Sequence, residues 1–292
     1  QGRYELGSTF KPLTVAMGLE TGLISPQTMI DTKGPMKWGR FTIRDFHDYG
    51  PRLTVEDVLV NSSNIGSAHI GLMVGEARQK AFFEKIGMMQ PSPVELTEAA
   101  RTAPLLPKQW SDLSTITISY GHGMAVTPLH LAAAYASLVN GGLRVKPSII
   151  AGAAPPTEAD RVVSERTSRQ IRSMLRQVVV RGTAERADVA GYDVAGKTGS
   201  ADKPNARGGY ARDKTIATFA SFFPASDPRY VLVICLDEPT TVINNTSFRT
   251  AGLTAAPVLA HAIRRIAPAL GMRPTEPARA EVPLLYTVAG NH

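Results

Sequence analysis

The sequence predicts an α+β fold, and three observations predict it. Helical periodicity dominates the first two thirds of the chain. Two segments rich in β-branched and aromatic residues lie side by side late in it. One more helical stretch closes it. Strand and helix do not alternate throughout, which argues against repeating βαβ units.

The elements come in this order. "STFKPLTVAMGLETG" (8–22) spaces Phe10, Leu13 and Met17 at helical intervals and stops by Gly22. Pro12 falls in or beside the first turn, where a missing N–H costs least. "TVEDVLVNSSNIGSAHIGLM" (54–73) opens with Thr54 and Asp57 at a capping-box interval, and "NSSN" interrupts its helical pattern. "TPLHLAAAYASLVNGG" (127–142) offers Thr127 as N-cap, Pro128 at the first helical position and Gly141 past the end. "AGAAPPTEAD" (151–160) reads as a loop, and "SERTSRQIRSMLRQVVV" (164–180) puts Ile171, Leu175 and Val178 on one stripe. "KTIATFASFF" (214–223) and "RYVLVICLDE" (229–238) flank the turn "PASDP", which predicts an antiparallel pair. "GLTAAPVLAHAIRRIAPAL" (252–270) is the closing helix. Residues 1–272 read as one domain. Residues 273–292, with Pro274, Pro277 and Pro283, read as an extended C-terminal tail.

A chain of 292 residues with 43% hydrophobic and 20% charged residues is long and apolar enough for a buried core. The net charge of +7 implies a basic surface; no Lys/Arg run or basic–aromatic interleaving points to nucleic acid. One cysteine excludes an internal disulfide, and Cys235 within "YVLVICL" reads as a buried structural thiol. The six histidines show no ligand spacing, so no metal and no cofactor are expected. No apolar run reaches the ~18–20 residues of a membrane span, and no signal peptide is visible. A chain that opens on Gln1 reads as part of a longer protein.

"GYDVAGKTGS" (191–200) fits two motifs at once. Gly191, Gly196, Lys197 and Thr198 satisfy the phosphate-loop pattern, while Lys197-Thr198-Gly199 satisfies the K-T-G element of penicillin-recognising serine enzymes. A phosphate loop needs a buried strand before it and a helix after it. Here a short polar stretch precedes, and "GSADKPNARGGY" comes after, with Pro204 and several glycines, so no helix starts there. The other context fits: "DVAGKTGSA" can run as a strand into a loop, with Lys197 on its edge aimed into a cleft to bind a carboxylate. The small residues Gly199 and Ser200 let a ligand backbone lie alongside.

"GSTFK" puts Ser8 and Lys11 one turn apart at a helix start, where amides and the dipole favour negative charge. A serine needs a base to become nucleophilic, and Lys11 can serve if burial depresses its pKa. Alone, the pair is equally an N-cap serine beside a solvated lysine. The polar "NSSN", with Ser62 and Asn64 inside an apolar helical stretch, demands partners or caps a helix end. S-x-x-K, S-x-N and K-T-G in that order are far more specific together than any one of them.

With these motifs, and with "SYGHGMAVTPLHLAAAYASLVNGG" and "GTAERADVAGYDVAGKTGSA", the chain resembles the transpeptidase domain of class B penicillin-binding proteins. "NSSNIG" is most similar to the septal cell-division (FtsI-type) group. Ser200 departs from the threonine of many relatives but keeps the hydroxyl. The resemblance implies a penicillin-binding/serine β-lactamase-like fold: a mostly antiparallel sheet flanked by helices, beside a helical lobe. It implies peptidoglycan D,D-transpeptidation through an acyl-serine intermediate, inhibited by β-lactams. It assigns Ser8 as nucleophile, Lys11 as base, Ser62 and Asn64 to proton relay and amide holding, and Lys197 and Thr198 to the substrate carboxylate. It also assigns the amides of Ser8 and Ser200 to the oxyanion hole. Implied partners are stem peptides, β-lactams and cell-division proteins. The implied location is the periplasmic side of the bacterial inner membrane, through an anchor outside this chain. The strand that usually precedes the nucleophile helix is expected to be missing, so that the domain lacks its N-terminal start. Two rivals stand: a serine β-lactamase, whose class D Y-G-N element "SYGHG" partly resembles, and a non-catalytic β-lactam sensor or divisome scaffold. Asn64 and the absence of an E-x-x-L-N segment count against the first; turnover of a stem-peptide substrate separates the second.

Overall fold

The structure, a computed structural model, describes residues 2–205 and 209–275. The chain enters by pairing Tyr4 with Val126, then turns at Gly7 into a 3₁₀ turn, Gly7–Phe10, that carries Ser8. This turn runs directly into helix α1 (Lys11–Glu20), with Pro12 in its first turn as expected. Every side chain from Lys11 to Leu19 is buried, so α1 is the central helix. Short paired strands come next: β1 (Met29–Asp31), β2 (Met36–Trp38), β3 (Phe41–Ile43) and β4 (Arg52–Thr54), with β1 on β4 and β2 on β3. The predicted helix over 54–73 is two helices, α2 (Val55–Val60) and α3 (Asn64–Val74). Thr54 caps the first through the Asp57 amide, and Ser63 caps the second through the Gly66 amide. The "NSSN" segment is therefore the break itself. Serine and asparagine side chains compete for backbone groups and favour caps over helix interiors.

Helices α4 (Glu76–Ile86), α5 (Thr97–Ala100), α6 (Asp112–Ile118) and α7 (Pro128–Val139) complete the helical lobe. The caps predicted for α7 hold: the Thr127 hydroxyl accepts from the His130 amide. Helix α8 (Glu165–Arg181) buries Ile171, Leu175 and Val178. The principal sheet is antiparallel, in the order β5 (Ala195–Pro204), β6 (Tyr210–Phe223), β7 (Tyr230–Asp237). Two small strands, β8 (Thr241–Ile243) and β9 (Thr246–Phe248), precede α9 (Ala255–Ala269). The core joins α1, α7, α8 and α9 to the sheet through Phe10, Tyr135, Leu175, Phe219, Phe222 and Ile263, all fully buried. Each such side chain contributes about 1.5–3 kcal/mol of burial.

The sequence reading differs from the structure in two further places. Lys197-Thr198-Gly199 does not lead from strand to loop, because β5 continues through it to Pro204, held to β6 along its length. Cys235 is half-buried on β7 rather than sealed, because the outer edge of that strand carries no strand among the described residues. In the proposed tail, residues 273–275 are non-helical and Thr275 donates to the Gly191 carbonyl; 276–292 lie outside the described residues.

Candidate active site

Three elements converge at one groove of roughly 640 Å³: the Gly7–Phe10 turn, the α2–α3 break and β5. Ser8, Ser62, Asn64, Thr198 and Ser200 all line it. The approach of turn to strand is close enough to need glycine. A Cβ at Gly199 would lie 2.3 Å from the Leu6 carbonyl oxygen and 3.0 Å from the Thr9 nitrogen. The small residues after Lys197 thus serve first to seat the Ser8 turn on the strand.

Ser62 sits at the centre of the polar network. Its φ is 60°, left-handed and uncommon for a residue with a side chain. That conformation lies between the last turn of α2 and the first of α3 and places its hydroxyl between two lysines. Lys11 Nζ donates to Ser62 Oγ at 3.0 Å, to the Ser62 carbonyl at 2.5 Å and to Asn64 Oδ1 at 2.8 Å. Lys197 Nζ donates to the same Ser62 Oγ at 2.9 Å, to Thr183 Oγ1 at 3.4 Å and to the Thr198 carbonyl at 3.2 Å. Both ammonium groups are fully buried. Burial and then the charge of Lys197 hold the Lys11 pKa well below the ordinary lysine range, with Asp45 opposing. Burial pulls Lys197 down to about 7. Two amines sharing one oxygen cannot both stay charged without cost, so the site favours a neutral lysine.

Asn64 is held from both ends: its Oδ1 accepts from Lys11, and its Nδ2 donates to the Arg44 carbonyl at 3.0 Å. Asp45 accepts from the Ser63 hydroxyl and the Asn64 amide, each at 2.6 Å, and from the Ile65 amide at 3.0 Å. A carboxylate at a helix N-terminus is favoured by the free amides and the dipole. Asp45 therefore fixes the whole S-S-N turn. Thr183 Oγ1 and Thr198 Oγ1 lie 2.9 Å apart, and Ser200 Oγ accepts from the Ala251 amide at 2.8 Å.

All eight residues singled out in the sequence meet here, although not all in the expected pose. Lys197 does not reach into the groove; it stands behind Thr198, the groove-lining member of the pair. Lys11 is bonded to Ser62 and Asn64, while the Ser8 hydroxyl makes no hydrogen bond among the described residues. Catalytic hydrogen bonds in unliganded sites commonly close only on substrate. Asp45 and Thr183 were not singled out. Nothing in "IRDFHDYG" or "VRGTAERA" ties them to the motifs by spacing, since both act across the fold.

The family model of the penicillin binding protein transpeptidase domain matches residues 1–263. The chain belongs to the penicillin-binding protein transpeptidase domain family. Among relatives of this transpeptidase domain, a probable peptidoglycan D,D-transpeptidase FtsI of Caulobacter vibrioides is 40% identical over 281 residues. That match takes in 92% of the chain and 47% of the relative. PbpB, a penicillin-binding protein of Mycolicibacterium smegmatis, is 36% identical, covering 87% of the chain and 42% of the relative. The chain thus spans about half the length of these curated relatives. Among solved structures, the apo transpeptidase domain of Burkholderia pseudomallei penicillin-binding protein 3 superposes with a TM-score of 0.85. It is 32% identical and covers 95% of this chain and 82% of its own. Penicillin-binding protein 3 of Mycobacterium tuberculosis in complex with aztreonam gives 0.81 at 31% identity, covering 95% of this chain and 65% of its own. The α+β fold of helices around an antiparallel sheet is the transpeptidase fold of these neighbours.

Proposed function

We propose that this domain performs the acyl transfer of a peptidoglycan D,D-transpeptidase in septal cell-wall synthesis and is inhibited by β-lactams. The observation that carries the reading is the Ser62 hydroxyl bridging two buried lysines beside Ser8. Lys11, neutral through burial, accepts the Ser8 proton as Oγ attacks the carbonyl between two D-alanines of a stem peptide. The amides of Ser8 and Ser200 receive the oxyanion. Ser62 passes the proton on to the leaving nitrogen, D-alanine departs, and an amine of a neighbouring stem takes the acyl group. Thr198 holds the substrate carboxylate, with the Lys197 charge behind it. Asn64 holds the donor's amide. Acyl chemistry of this kind calls for no metal or cofactor.

Residues 1–272 are the transpeptidase domain in this reading, and 273–292 its tail. The working location is the periplasmic face of the inner membrane, among cell-division proteins, as for the septal group that the chain resembles. No helix among the described residues is long and apolar enough to cross a membrane.

Labelling with a fluorescent penicillin, with mass mapping of the modified residue, tests the assignment. The adduct is expected on Ser8 and nowhere else. A Ser8→Ala variant that still forms it sinks the reading.

A further inference from the structure

We propose that Asp202 and Arg249 select the donor stem peptide, by recognising a side chain that ends in both an ammonium and a carboxylate on the residue before its two D-alanines. The inference rests on the transpeptidase reading above and names the donor that reading leaves open.

The direction of the donor follows from the roles already proposed. Thr198 holds its terminal carboxylate, the Ser8 and Ser200 amides hold the carbonyl under attack, and Asn64 holds the next amide. The donor therefore runs along β5 from Thr198 towards Ser200. Side chains alternate across a strand, so Thr198, Ser200 and Asp202 share one face of β5, and all three line the groove. Asp202 lies two residues past Ser200, or ~6.8 Å along the strand. A side chain of several methylenes spans that distance from the residue before the D-alanines.

Arg249 is brought to the same end. The Ala251 amide donates to Ser200 Oγ at 2.8 Å, which pins the segment before α9 to β5. Two residues earlier in that segment, Arg249 lines the groove, and its Nη1 donates to the Asp213 carbonyl at 2.8 Å. Asp213 is two residues from Thr215, the partner of Asp202 in the β5–β6 register. Asp202 and Arg249 are thus opposite charges in one stretch of groove. Neither forms an ion pair, with the other or with any group among the described residues. The one side-chain hydrogen bond of Asp202 there is a long one, from Thr215 Oγ1 at 3.5 Å. Charges held apart in this way complement a ligand that carries both signs. The guanidinium fork suits its carboxylate, and Asp202 suits its ammonium.

The wall opposite supplies apolar surface. Phe46, His47 and Tyr49 line it, on the loop whose Asp45 fixes the Asn64 turn. The Phe46 ring is 81% exposed and meets His47 edge to face. A solvated ring beside the amide-holding Asn64 gains by covering methylenes of the same side chain. The groove's other neighbouring charges, Glu185 and Arg186, come just after Thr183, whose hydroxyl is 2.9 Å from that of Thr198. They stand at the carboxylate end of the donor, away from this side chain. An aliphatic arm with a zwitterionic end is the side chain of a diamino dicarboxylic acid. A lysine side chain in its place would set a second cation against Arg249.

The test is a competition for Ser8. Three N-acyl-X-D-alanyl-D-alanine peptides compete with a fluorescent penicillin for the purified protein. The side chain of X has one length and ends in an ammonium and a carboxylate, in an ammonium alone, or in a carboxylate alone. The zwitterionic peptide is expected to halve the labelling rate at about tenfold lower concentration than either other, the worth of one charge-assisted contact. Arg249→Gln should bring it level with the ammonium peptide, and Asp202→Asn level with the carboxylate peptide. Arg249→Lys, which keeps the charge, should keep the preference. Each comparison is a ratio within one variant, and its penicilloyl adduct reports that the variant is folded. Competition by the three peptides within threefold in the unmutated protein, competition by none of them, or a preference that survives in Arg249→Gln or Asp202→Asn overturns the proposal. Failure of the unmutated protein to form any penicilloyl adduct instead removes the transpeptidase reading on which it rests.

Discussion

At Ser62, a left-handed backbone brings one hydroxyl to within 3.0 Å of two lysine nitrogens, and this contact governs the pH behaviour of the site. In the proposed mechanism Lys11 must be neutral to take the Ser8 proton. Its pKa is depressed, so the second-order acylation rate should rise with pH below the usual lysine value of 10.5. In the same mechanism Lys197 must be charged to support a bound carboxylate. That charge is lost as pH rises through about 7, so carboxylate-bearing β-lactams should show an alkaline fall there. The expected profile of acylation is a bell. Lys197→Ala should remove the alkaline limb and slow acylation about 10- to 100-fold, the loss of a charge-assisted contact worth roughly 1.5–3 kcal/mol. Lys11→Arg keeps a cation that cannot lose its proton, and acylation should fall at least about 100-fold. A flat profile for the unmutated protein, or equal rates in Lys197→Ala, would contradict these roles. Stopped-flow acylation across the range from mildly acidic to alkaline pH measures both.

Among the elements, α3 and β5 do the positioning. The start of α3 is tied to the loop after β3 by Asp45, which accepts from Ser63, Asn64 and Ile65. Asp45→Ala should cost about 0.5–2 kcal/mol, as loss of a helix cap does, and lower Tm by a few degrees. Because the same carboxylate fixes Asn64, acylation should slow as well. A variant with unchanged Tm and unchanged acylation would show that the turn holds without it. The sequence placed α1, α7, α8, α9 and the β6–β7 pair well, because periodicity, caps and turn residues are local signals. It saw "NSSN" interrupt the stretch over 54–73 but left open whether that segment seeks partners or caps a helix end, which only the backbone at Ser62 decides. It ended β5 early, because glycine and small residues read as loop, whereas here they make room for the Ser8 turn.

For the molecule as a whole, access to the ester decides the fate of the proposed acyl-enzyme. In a penicillin adduct the leaving nitrogen remains tethered to the drug, so the space an acceptor amine needs stays filled. The penicilloyl-Ser8 adduct should therefore persist for many minutes once free drug is removed. Tracking its mass with time checks this; loss within seconds, with drug turnover, would move the domain to the β-lactamases. The helical lobe supplies Ser62 and Asn64, the sheet supplies Lys197 to Ser200, and Ser8 lies on the turn between them. The groove thus lies where lobe and sheet meet, the usual setting for a ligand site.

By itself, the sequence determined the α+β class, the order of the main helices and strands, and the residue types at the three motifs. These depend on local spacing and on side-chain chemistry that a single chain displays. Only the tertiary structure decided how the motifs act. It buried both lysines and so lowered their pKa values, turned Lys197 away from the groove, and brought in Asp45 and Thr183 from distant segments. Desolvation and long-range hydrogen bonds depend on which surfaces face one another, and no spacing along the chain encodes that.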